Sequence, residues 1–232
     1  MEEITKILGQ HFKPVSIFLY GSRSRTDFLE KSDFEVGVLF SKENYVRREE
    51  IRKVIRQKRY NIYPFLCEDF LEGRIDTPFQ KKIYLRELIL TGKTLFGQEV
   101  IEKMKVPSIK TIDLMQDLRF NLGYALAAVI SHRNNDERTA SLEFSKSCLF
   151  ATRVLIMLKL RSFPLTYEKI RENSLKLDLG EYKELIAEAH ETRKGGKYKE
   201  ESLFQNISYL NNFIEPLLHQ SFEKDGNKVV IK

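Results

Sequence analysis

Two acidic side chains separated by one residue, Asp33 and Glu35, follow a Gly21-Ser22 pair by twelve positions. Val15-Ser-Ile-Phe-Leu-Tyr20 reads as a buried strand that delivers Gly21-Ser22 at its end. Phe34-Glu-Val-Gly-Val-Leu-Phe40 reads as a second strand, opened by Asp33. Side chains at i and i+2 of a strand share a face, so Asp33 and Glu35 are expected to project together and to hold one hard cation between them. Mg²⁺ suits such a pair, because it takes few protein ligands and completes its octahedron with water and substrate phosphate oxygens. Gly21 offers a bend without a Cβ, close to which phosphates can approach, and Ser22 adds a hydroxyl and an N–H. Arg23 and Arg25 put positive charge beside that bend, and Arg25 is expected on the nucleotide. An anion cradle and a cation clamp facing each other suit phosphoryl chemistry. With each residue type at roughly 5–7% usage, Gly-Ser followed at this spacing by Asp-x-acid arises by chance in about one such chain in a hundred or two. The alternative is a plain turn, with Asp33 capping it and Glu35 solvated.

The elements that must position these groups fall into two textures. Residues 1–105 alternate helix and strand signals, and residues 106–232 carry long helical patterns with few glycines. In the first part, Glu2 to Phe12 is expected to be a helix stopped by Pro14. A basic amphipathic helix is expected from about Lys42 to Gln57. Tyr60–Cys67 reads as a third strand, with Pro64 marking an edge or a bulge. A helix from about Phe79 to Leu90 and a turn at Thr91-Gly-Lys93 close this part. In the second, helices are expected over Ile112–His132, Glu137–Leu160, Tyr167–Asn173, Tyr182–Arg193 and Glu200–Phe222. Met104–Lys110, with Pro107, is the candidate linker. Asp225–Lys232 is read as a loose tail or an added strand. The expected fold class is α+β: a small mixed sheet with flanking helices, followed by a helical bundle.

Gly21-Ser-Arg-Ser-Arg25 and Ser32-Asp-Phe-Glu35 resemble the signature of the nucleotidyltransferase superfamily of DNA polymerase beta type. Leu85-Arg-Glu-Leu-Ile-Leu-Thr-Gly-Lys-Thr-Leu95 extends the likeness to the minimal domain of that superfamily over about a hundred residues. The helical half resembles the partner domain of antibiotic nucleotidyltransferases. The resemblance implies a nucleoside triphosphate donor, with ATP expected, bound with Mg²⁺ at Asp33 and Glu35 and by Gly21, Ser22 and Arg25. It implies transfer of a nucleoside monophosphate to an acceptor hydroxyl, with release of pyrophosphate. The family commonly places a further acid on the next core strand, but Tyr60–Cys67 holds none and offers neutral Asn61 instead. Asp69 is the expected catalytic base, with Glu68 and Glu143 as alternatives. The Arg-x(4–6)-His signature of nuclease bundles is missing at each of the four histidines.

Composition narrows the setting. The 232 residues carry 39 Lys+Arg against 33 Asp+Glu, a net charge of +6 that favours a phosphorylated partner without requiring one. Arg47–Arg59 is the densest basic stretch, read as a solvated face with RNA as the functional alternative. Cys67 and Cys148 lie in apolar surroundings and read as free thiols. No apolar run approaches the roughly 20 residues of a membrane span, and the expected setting is the cytoplasm. The acceptor, whether a small molecule, protein or RNA, is not readable from these residues, and a homodimer stays open. A nucleotide-binding regulator without turnover is the rival to an enzyme.

Overall fold

The computed structural model describes residues 1–30, 32–74 and 82–232. It divides into two compact units, Met1–Pro107 and Ser108–Lys232. The first holds a four-stranded sheet in the order β3-β2-β1-β4, built from β1 (Ser16–Tyr20), β2 (Phe34–Phe40), β3 (Tyr60–Leu66) and β4 (Lys93–Gly97). β1 runs antiparallel to β2 and β4, whereas β2 and β3 are parallel. Pro64 lies on edge strand β3, where a missing N–H costs no ladder bond.

Both faces of the sheet are apolar because strand residues alternate between two cores. On one face Ile17, Val36, Val38, Phe40 and Ile62 pack with Ile4 and Leu8 of α1 (Glu2–Phe12) and Ile51 of α2 (Arg48–Val54). On the other, Phe18, Tyr20 and Leu39 pack with Phe70 of α3 (Cys67–Leu71), Leu88 of α4 (Lys82–Thr91) and Ile101. Phe34, Val36, Val38 and Phe40 occupy the first face. The odd-numbered residues of β2, Glu35 among them, therefore turn to the second. Gly37 lies there beneath the fully buried Phe18 ring, and a Cβ on it would come within 2.0 Å of that ring.

Two expectations for this unit are corrected, and a third lies partly outside the described residues. The basic helix of residues 42–57 shrinks to a short 3₁₀ turn (Lys42–Asn44) and the two-turn α2. Ile55, buried just past the end of α2, leaves the helix with extended backbone to reach the core. Thr91-Gly-Lys93 is followed by β4, a short strand with little buried side-chain surface. The helix expected from Phe79 is seen from Lys82 onward, and residues 75–81 lie outside those described.

The second unit is led by α5 (Thr111–Arg133) and α6 (Glu137–Leu160). These form a hairpin turned at Asn134–Asp136, where Asp136 accepts the Thr139 N–H at 3.0 Å and caps α6. α7 (Tyr167–Ser174), α8 (Lys183–Lys194), α9 (Glu200–Ser208) and α10 (Glu215–Asp225) complete the bundle. α9 runs into α10 through a π segment, Tyr209–Ile214, immediately before Pro216. Proline has no N–H and its ring crowds the carbonyl four residues back, so a locally widened helix accommodates it. The C-terminal residues form an added strand, β6 (Val229–Ile231), antiparallel to β5 (Ile109–Lys110). No helix among the described residues is long and apolar enough to cross a membrane. Both cysteines are free, Cys148 buried and Cys67 partly so.

Gly37→Ala should force the Phe18 ring out of its seat and destabilise the protein by about 1–3 kcal/mol, the usual cost of overpacking. A lowered chemical-denaturation midpoint at unchanged m-value is the expected reading; a midpoint equal to that of the parent protein would contradict this packing.

Candidate active site

The site is assembled by the register of three strands. Glu35 of the central strand pairs with Tyr20 of β1 on one side and with Asn61 of β3 on the other. Gly21, directly after Tyr20, has φ 72° and ψ −153°, a conformation that L side chains seldom adopt. A Cβ on Gly21 would stand 1.6 Å from Glu35 Oε2, so the missing side chain is what gives the carboxylate its place against the bend. Ser22–Ser24 then form a 3₁₀ turn, fastened by the Ser24 hydroxyl donating to the Gly21 carbonyl at 2.7 Å.

Glu35 turns to the face of the second core, and Asp33 immediately precedes β2. Asp33 Oδ2 accepts a hydrogen bond from Asn61 Nδ2 at 3.1 Å, and Asn61 Oδ1 accepts one from Arg52 Nη2 at 3.2 Å. Tyr20 and Tyr84 stand beside Glu35. Burial pushes the Tyr20 hydroxyl well above its ordinary pKa, with Tyr84 and then the Glu35 charge adding to it. Tyr84 is raised by burial first and by Glu35 second. Both phenols therefore stay protonated and present a neutral wall to the carboxylate.

The arginines of the bend are spoken for. Arg25 is buried; its Nε donates to Asp27 Oδ1 at 3.2 Å and its Nη1 pairs with Glu87 of α4. Arg25 thus ties the bend to α4, a structural role beside the nucleotide contact expected from sequence. Arg23 donates to the carbonyls of Ser32 and Glu30, and its guanidinium lies 4.6 Å from the ring centroids of Phe28 and Phe34. It staples the segment between β1 and β2.

Asp69, the expected base, is also ion-paired. It lies in α3, past the far end of β3, and pairs with Arg74 at 2.9 Å. Because β3 runs parallel to β2, Asn61 stands beside Glu35 while Leu66 stands beside Phe40. Five strand residues of about 3.3 Å each, roughly 16 Å, separate the Asn61 and Leu66 positions of β3. Glu68 precedes Asp69 in α3. Glu143 belongs to α6 of the second unit, with Lys146 4.0 Å away.

Sequence reasoning missed Arg52 and the hydrogen-bonded role of Asn61. The signal was the i, i+4 spacing of Arg48 and Arg52 around the buried Ile51. Ile51 fixes one face of α2 on the first core. Arg48 reaches the Tyr63 ring at 4.4 Å and Arg52 reaches Asn61, both residues whose side chains belong to the other face of edge strand β3.

Among the described residues no group of three or more His, Cys, Asp and Glu side chains gathers for a metal. The candidate metal position is the Asp33–Glu35 pair. Its donors are hard carboxylate oxygens, which fit Mg²⁺.

Residues 2–106 match the family model of the polymerase beta nucleotidyltransferases. This stretch is similar to the nucleotidyltransferase domain of the polymerase beta type. A crystal structure of spectinomycin adenyltransferase AAD(9) from Enterococcus faecialis, with ATP and spectinomycin, shares the fold: TM-score 0.60, 15% identity, covering 92% of this chain and 97% of that one. No curated protein is significantly similar in sequence.

Glu87→Ala would remove one carboxylate from the buried Arg25 guanidinium. Loss of one partner of a buried pair costs about 3–5 kcal/mol. Thermal or denaturant unfolding should register that loss; a change below about 0.5 kcal/mol, typical of a surface position, would refute the anchoring role.

Proposed function

We propose that this protein is a Mg²⁺-dependent nucleotidyltransferase that moves AMP from ATP to an acceptor oxygen and releases pyrophosphate. The observation that carries this reading is the seating of the Glu35 carboxylate against the Gly21 bend, with Asp33 bonded to Asn61, the residue paired with Glu35. The family match of residues 2–106 supports it. The similar structure that contains ATP and spectinomycin supports a nucleotide donor and a small-molecule acceptor. ATP as donor suits a cytoplasmic site of action.

In this reading the backbone at Gly21 and the Ser22 N–H and hydroxyl hold the β and γ phosphates. Asp33 and Glu35 would hold Mg²⁺, which when bound would supply charge neutralisation to the phosphate oxygens. Asn61 orients Asp33 through its amide N–H, and Tyr20 and Tyr84 shield the inner side of Glu35 from water.

A second reading, ATP binding without turnover, is favoured by one feature: the strand position beside Glu35 is filled by Asn61, an amide that accepts no proton. Calorimetry with ATP and Mg²⁺, set beside a pyrophosphate assay, separates the two readings.

Asp33→Asn and Glu35→Gln should each lower Mg²⁺-dependent pyrophosphate release by about 100-fold or more, the scale of losing a principal electrostatic stabiliser, while the unfolding midpoint stays near that of the parent. Undiminished release in both variants would falsify the assignment of the acid pair.

A further inference from the structure

The backbone of Asn61 is set by its pairing with Glu35 in the parallel ladder of β2 and β3. Its side chain keeps one freedom that bears on the acid pair, the rotation that decides which end of the amide meets Asp33. An asparagine amide has an acceptor oxygen at one end and a donor NH₂ at the other. An ionised carboxylate can only accept, so it needs the donor end. The bond runs that way, from Asn61 Nδ2 to Asp33 Oδ2 at 3.1 Å.

The other end of the amide is held by Arg52. A guanidinium can only donate, and Arg52 Nη2 donates to Asn61 Oδ1 at 3.2 Å. Reversing the amide would set its NH₂ against the guanidinium and its oxygen against the carboxylate, losing both bonds and creating two repulsive contacts. Neighbours of opposite charge thus leave the amide one orientation. Arg52 is itself placed by the core: Ile51 and Ile55, which bracket it in the chain, are 0% and 1% exposed and pin this end of α2 to the first core.

We propose that Arg52 is a positioning residue of the metal site, acting through Asn61 to fix the rotation of the Asp33 carboxylate. This rests on the reading of Asp33 and Glu35 as the Mg²⁺ ligands. Asp33 is exposed and immediately precedes β2, so its side chain would otherwise be ordered only when the cation arrives. Ordering a ligand beforehand removes that entropy from the cost of binding. The two effects that a guanidinium could have here are opposite in sign. As a bare charge, Arg52 repels a dication, and its removal would tighten metal binding slightly, screened over a Debye length of about 8 Å. As the partner of Asn61 it steadies a metal ligand, and its removal weakens metal binding.

The test uses the full chain and Mn²⁺, a hard, paramagnetic cation that carboxylates bind as they bind Mg²⁺. Binding is followed by loss of the free-ion electron paramagnetic resonance signal, with and without a non-hydrolysable ATP analogue. Arg52→Met should weaken Mn²⁺ binding by about 3- to 10-fold, the net worth of one hydrogen bond, at an unfolding midpoint near that of the parent. Arg52→Lys keeps a donor for Asn61 Oδ1 and should recover most of the loss. Asn61→Leu should weaken binding at least as much as Arg52→Met, and adding Arg52→Met to Asn61→Leu should weaken it no further, because the two residues act in series. Unchanged or tighter Mn²⁺ binding in Arg52→Met would overturn the positioning role. So would an equal loss from Arg52→Met in the presence and absence of Asn61, since Arg52 would then act on the ligand directly. In both cases Asp33→Asn and Glu35→Gln still abolish binding and the metal-ligand reading stands. Mn²⁺ binding that survives Asp33→Asn and Glu35→Gln would bring down that reading and this inference together.

Discussion

The first unit is organised around one close approach, the Glu35 carboxylate resting where Gly21 has no side chain. It requires three things at once: a positive φ at residue 21, pairing of Tyr20 with Glu35, and a central position for β2. Each is set by something remote from the chemistry. The buried runs of β1 and β2 fix the register, since a slip of one residue would turn Glu35 into the first core and Val36 out of it. Arg25, gripped by Asp27 and Glu87, holds the bend against α4. The Tyr20–Tyr84 wall closes the inner side. The acid pair thus has a closed inner flank.

Four arginines near the acid pair show why residue type does not predict role. Arg23 and Arg25 adjoin the bend in sequence, yet backbone carbonyls, aromatic rings and carboxylates absorb their donors. Arg48 and Arg52 lie far from it in sequence and reach the edge strand from a helix on the opposite core. A guanidinium satisfied by buried carboxylates contributes no net field to a ligand, whereas one bound to a neutral amide keeps its charge.

Much of the fold was legible in the residues. Continuous apolar runs bounded by glycine and proline mark β1 to β3, and apolar residues at helical spacing mark α5 and α6. β4 was not, because Lys93–Gly97 is short and mostly exposed and so carries no apolar alternation to read. α2 came out too long because Glu, Lys and Arg favour helix throughout residues 42–57, while the burial of Ile55 demanded extended backbone. At the site, the face to which Glu35 turns follows from strand alternation alone. The place of Asp69 does not: an acid after β3 would lie near the pair if β3 ran antiparallel to β2, and strand direction is a property of tertiary pairing. The Arg25 pairing spans 62 positions and is equally invisible locally.

The ribbon of β5 and β6 joins residues 109–110 to residues 229–231. Thr111 N–H donates to the Lys228 carbonyl at 3.0 Å, and Ile112 N–H donates to the Asn227 side chain at 3.1 Å. The entry to the bundle and its exit are clasped together, which makes the helices between them a closed circuit. Loop-closure entropy grows only slowly with length, so such a clasp over more than a hundred residues costs little more than one over a few dozen. Its two sides can only come undone together. The bundle is therefore a suitable candidate for relocating the chain's opening to one of its inner turns by circular permutation.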